Sequence, residues 1–251
     1  MFDTWNLRHN AKFETKIAHD LYWIPVSSVG VCKYSERDMM HFIYNFPLNK
    51  LHFDSLYEVI VFFQMKGFDD TGENIYKNIN ELRCEIHRTP AEAIRMKKGS
   101  CADIASMLNY YLADIYEKSG YILFLREFSG GHAINYFYHN GYYYIIDLNA
   151  MLSKYRNDIP VEDGNIKTYR NSKIITGCLL RCKSLKSFVD FYSKYAIFAK
   201  NAFLFFLVED YAIPDILFDF DKNKKKIYLD NKKMFLLNKN YEKSVYEIVH
   251  T

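Results

Sequence analysis

The chain has 251 residues, 49% hydrophobic and 25% charged, enough for one large globular domain with a substantial core. A formal net charge of +3 gives no footing for a nucleic-acid partner, and no apolar stretch is long enough to read as a membrane span. Five scattered cysteines, an odd number without framework spacing, point to a reducing compartment, and the polar first ten residues carry no apolar signal-peptide core, so a cytoplasmic location is expected.

In chain order, residues 1–20 are mixed and polar, with Trp5, Leu7 and Phe13 available to dock on a core. Residues 21–26 form a short apolar run broken by Pro25, which predicts an edge-like or extended segment. Ser35 and Asp38 start a predicted helix over 35–45. The spacing of Leu56, Val59, Ile60 and Phe63 predicts a buried helix within 53–66. A turn at 69–72 leads to 73–87, where Ile75, Ile79, Leu82 and Ile86 fall at helical spacing and predict a second amphipathic helix. Pro90 opens a short helix to 98.

A better-defined helix starts at Gly99-Ser100-Cys101-Ala102-Asp103. Ser100 is a good N-cap and Asp103 completes a capping box, with Ile104, Leu108, Tyr111, Leu112 and Ile115 on one face and Gly120 as the expected stop. The periodicity then changes from 3.6 to 2. Residues 121–128 read as a strand, and 132–138 and 143–148 as a hairpin across Asn140-Gly141. Residues 158–164 read as a loop and 174–180 as a strand. Residues 185–211 read as one long or two short helices ended before Pro214, and the charge run at 222–226 as a solvated hairpin turn. No repeat or low-complexity linker divides the chain, so residues 1–251 are expected to form one domain.

Chemistry concentrates at three positions. Cys101 falls in the first turn of its helix, where unpaired N–H groups and the positive end of the helix dipole favour thiolate over thiol; a small buried residue packing the helix start is the alternative. In the hairpin, His139 opposite Tyr142 sets the register, so Ile134 falls opposite Asp147 and His132 opposite Asn149. His132 and Asp147 then share a face as diagonal neighbours, about 7–8 Å apart along the backbone, a gap an imidazole and a carboxylate can bridge. A one-residue bulge would break this arrangement. Cys, His and Asp so ordered provide a nucleophile, a base and an orienting acid, with the Cys101 N–H as a natural oxyanion donor. Gln64, Trp23 or a tyrosine is a candidate for a second donor.

Gly99-Ser100-Cys101-Ala102-Asp103, His132-Ala133-Ile134 and Tyr144-Ile145-Ile146-Asp147 together resemble the transglutaminase-like core, a branch of the papain-like thiol enzymes. The resemblance spans about residues 73–150. It departs from the family pattern at Ile134, where an aromatic is usual, and at Leu148-Asn149, where Pro-Thr is frequent. It implies an α+β fold with the nucleophile helix packed on an antiparallel sheet, to which the helical spacing upstream adds a helical N-terminal half and the remaining residues a mixed C-terminal flank. It also implies Cys101 as nucleophile, His132 as base and Asp147 as orienting acid, in an enzyme that attacks an amide of a peptide or protein and forms a thioester acyl-enzyme. Peptidases, amidases, deamidases and transglutaminases share this first step; no cofactor or metal is required. Two rivals remain: a catalytically silent transglutaminase-like scaffold and an arylamine N-acetyltransferase-like enzyme, though the Arg-Gly-Gly context of the latter is missing. Cys84, His87, Cys178 and Cys182 have spacing too loose for a zinc site. Oligomeric state is not legible in the sequence.

Overall fold

A computed structural model describes residues 14–25, 29, 52–66, 75–79, 82–96, 98–126, 131–148, 178–195, 202–208, 216–219, 225–229, 234–236 and 246–250. The architecture is α+β. One sheet has eight strands: β1 (Thr15–Ala18), β2 (Leu21–Pro25), β5 (Lys118–Arg126), β6 (Gly131–His139), β7 (Tyr142–Ile146), β8 (Cys178–Cys182), β9 (Ala202–Val208) and β12 (Met234–Leu236). Their spatial order is β1-β2-β8-β7-β6-β5-β9-β12, with every neighbouring pair antiparallel. A second sheet of five strands joins β3 (Ile75–Ile79), β4 (Leu82–Ile86), β10 (Ile216–Asp219), β11 (Lys225–Leu229) and β13 (Tyr246–His250) in the order β13-β11-β10-β4-β3. All of its pairs are antiparallel except β11 with β13.

Four helices are described: α1 (Leu56–Lys66), α2 (Pro90–Met96), α3 (Cys101–Ile115) and α4 (Leu185–Tyr195). The alternation of β6 and β7 divides the core between the two faces of the larger sheet. Phe137, Tyr144 and Ile146 pack with Leu108 and Leu112 of α3 and Ile60 and Phe63 of α1. Ile134, Tyr136 and Ile145 pack with Leu185, Phe188 and Val189 at α4. The residues that build a periodic stripe on α3 are therefore the ones that seat it against the sheet. Tyr116 ends α3 by turning extended (φ −118°, ψ 144°); its ring stacks on Phe137 at 4.0 Å and its hydroxyl accepts a hydrogen bond from Leu56 N at 3.2 Å.

Several expectations need correction. The N-terminal half is not predominantly helical among the described residues. Residues 73–87 do not form a helix: β3 and β4 form a hairpin, with Ile75 opposite Ile86 and Ile79 opposite Leu82. The four apolar positions that mimic a helical stripe are cross-strand partners, a pattern that periodicity alone does not distinguish. Within 185–211 the described residues form α4 and then β9, a continuous apolar strand between β5 and β12, and an unbroken apolar run fits a strand as well as a helix. β2 is not an edge, because β1 and β8 flank it, and Pro25 is its last residue. Gly120 does not stop the Cys101 helix but lies within β5. The strand expected at 174–180 falls at Cys178–Cys182. The expected helix at 35–45 and loop at 158–164 lie outside the described residues.

Candidate active site

The turn before α3 is fixed by Asp103. Ser100 is the N-cap: its hydroxyl accepts from Asp103 N at 3.4 Å, and Asp103 Oδ2 accepts from Ser100 N at 2.9 Å, closing the capping box. The same carboxylate accepts from Arg88 N at 2.7 Å and pairs with Arg88 Nη1 at 2.5 Å. Gly99 is required beside it, because a Cβ there would lie 2.6 Å from Asp103 Cβ. Asp103 is thus occupied as a cap and an ion-pair partner. Its carboxylate makes Cys101 the first residue of a rigid helix start.

Asn135 ties this helix to the sheet. Its Nδ2 donates to Ala105 O at 2.8 Å, while further along both elements Phe137 stacks on Tyr116. Helix α3 and strand β6 therefore run in the same direction. Cys101 at the start of one and His132 near the start of the other come to the same end of the sheet.

The hairpin has the expected register. Its turn places Asn140 and Gly141 at φ 50° and 82°, the left-handed conformations of a two-residue turn, and His139 pairs with Tyr142 and Asn135 with Ile146. Beyond the last paired residues, His132 Nε2 meets Asp147 Oδ2 at 2.7 Å, with the two residues 8% and 0% exposed. The Phe124 ring covers the imidazole at 5.2 Å. The Cys101 side chain, half-buried, is within hydrogen-bonding reach of His132. Burial pulls the His132 pKa down, but the charge and hydrogen bond of Asp147, with a smaller contribution from Cys101, outweigh it and raise the pKa to about 10. The three sequence-predicted residues are brought together, and the imidazole between them is biased towards its charged form.

The other candidates lie elsewhere. Cys182 is fully buried on β8, and burial pushes its thiol up to about 12. Cys84 is on β4 of the other sheet, so it does not share a strand cluster with Cys182. Among the described residues no group of three His, Cys, Asp or Glu side chains could hold a metal ion, and no helix is long and apolar enough to cross a membrane. The side chains of Trp23, Gln64 and Cys178 lie outside those described. Two residues of the site's framework were missed in the sequence. Asn135 left a signal as a lone polar residue within the apolar core of β6; Arg88, on no periodic element, left none.

A helix-borne cysteine, a strand-borne histidine and an aspartate on the next strand, joined on an antiparallel sheet, define the class of α+β proteins with a thiol–imidazole–carboxylate site. The transglutaminase-like domain family matches residues 34–177, more than half of the chain, and the chain belongs to that family. Neither the curated proteins nor the solved structures give a match.

Proposed function

We propose that the protein is a cysteine-dependent acyl-transfer enzyme acting on amide bonds of a peptide or protein, with Cys101 as nucleophile, His132 as general base and acid, and Asp147 as orienting carboxylate. The observation that carries this reading is the position of His132, which has Asp147 at 2.7 Å on Nε2 and Cys101 within reach. With Nε2 held by Asp147, Nδ1 is the nitrogen that serves the thiol. Asp147 stabilises the imidazolium and fixes the ring, as an orienting acid does in a triad.

The reaction follows from these roles. His132 takes the Cys101 proton, and the sulfur attacks the amide carbonyl carbon. The resulting oxyanion faces the N-terminus of α3, where the Cys101 N–H is a donor. The imidazolium then gives its proton to the leaving amine, the C–N bond breaks, and a thioester remains on Cys101. A water deprotonated by His132 attacks the thioester, releasing the carboxylic acid and restoring the thiol. An amine in place of water gives transamidation by the same route.

The test is the rate of iodoacetamide labelling at Cys101, read by peptide mass spectrometry from pH 4 to 9, in the wild type and in His132→Ala. Labelling that stays fast well below the ordinary thiol range near pH 8.5, and falls about tenfold or more in the variant, supports the couple. Ordinary thiol curves in both proteins would overturn the reading in favour of a silent scaffold.

A further inference from the structure

We propose a second binding site, for the oxyanion group of a small ligand, at the end of the larger sheet remote from His132 and Asp147. Three adjacent strands build it. Arg181 of β8 stands opposite Tyr22 of β2, and its guanidinium lies 5.1 Å from the Tyr22 ring centroid and 4.7 Å from that of Tyr142 on β7. Two aromatic rings thus flank the cation within cation–π range. The side chain is only 20% exposed, and its buried Nε has no hydrogen-bond partner among the described residues. Lys183, two residues on, brings Nζ to 5.9 Å from the same Tyr142 ring. These groups line a cavity of about 550 Å³, a size suited to a small molecule.

The charge distribution selects the ligand. Two carboxylates line the cavity, and both are engaged. Asp20 Oδ2 accepts from Lys183 N at 3.0 Å, Ser184 N at 3.2 Å and Ser187 Oγ at 3.4 Å, so it serves the N-terminus of α4. Glu14, half-exposed, meets a single guanidinium nitrogen, Nη2, at 2.5 Å. A guanidinium has five N–H donors in a fixed fork, and an ammonium has three more. The Nη donors that Glu14 does not take, together with the Lys183 ammonium, suit a carboxylate or a phosphate, while the buried Nε stays behind them. Tyr142 and Asp147 are separated by the length of β7, about 17 Å at strand rise, so this site is separate from the thiol site.

The experiment is calorimetric titration of the full chain with inorganic phosphate and, separately, with N-acetylglycine as a simple carboxylate. Saturable binding of either anion, weakened about tenfold or more in Lys183→Gln and in Arg181→Gln, is the expected result, and the anion that binds identifies the ligand's charged group. Lys183 is exposed, so Lys183→Gln keeps the test decisive even where Arg181→Gln fails to fold. No saturable binding of either anion, or an unchanged affinity in Lys183→Gln, overturns the proposal.

Discussion

Arg88 and Asp103 form a 2.5 Å ion pair with side chains only 13% and 2% exposed, and this pair joins the segment before α2 to the first turn of the Cys101 helix. Removing the cation leaves a buried carboxylate with only backbone donors. Arg88→Ala is therefore expected to lower stability by roughly 3–5 kcal/mol, the range for breaking a buried pair from one side. Urea unfolding measures it, and an unchanged midpoint would show that Arg88 does not hold the turn.

Gly99→Ala tests the same turn from the backbone. The added Cβ meets Asp103 Cβ at 2.6 Å, an atom with no freedom to swing aside. The helix start must shift, with an expected loss of about 1–3 kcal/mol. Because Cys101 moves with the turn, its iodoacetamide labelling rate is expected to fall even at temperatures where the variant is fully folded. Equal labelling rates in folded wild type and variant would refute that link.

His132 gives stability a pH dependence of definite sign. Its folded pKa is about 10, above the ordinary value of 6.5, so its contribution is complete below about pH 6.5 and is lost as pH rises through 10. In Asp147→Asn the main raising influence is gone and burial dominates, so the imidazole is held neutral and its contribution rises with pH instead. Unfolding free energies measured from pH 6 to 10 are expected to show a decline in the wild type that is absent or reversed in the variant. Parallel profiles would rule out the His132–Asp147 charge interaction as its source.

Tyr116→Phe isolates one hydrogen bond. The ring stack on Phe137 is kept, while Leu56 N at the start of α1 loses its acceptor. A loss of about 1 kcal/mol is expected by thermal or urea unfolding, the usual net worth of one intramolecular hydrogen bond. A variant as stable as the wild type would mean that another acceptor takes over at Leu56 N.

The sequence by itself determined the elements whose signals are local. Ser100 and Asp103 mark a helix start because a cap and its box are closed within four residues. Asn140-Gly141 fixes a hairpin because few residues tolerate two successive left-handed conformations, and the turn then sets the register that makes His132 and Asp147 neighbours. Tertiary structure decided what local patterns leave degenerate. Ile75, Ile79, Leu82 and Ile86 satisfy a helical period and a hairpin register equally, and the pairing of β4 with β10, more than a hundred residues away in sequence, coincides with the strand outcome. The apolar 202–208 run became a strand between β5 and β12 for the same reason. The roles of Arg88 and Asn135 likewise follow from contacts across the fold: a buried carboxylate needs a cation, and a helix laid on a sheet needs its polar intruder bonded.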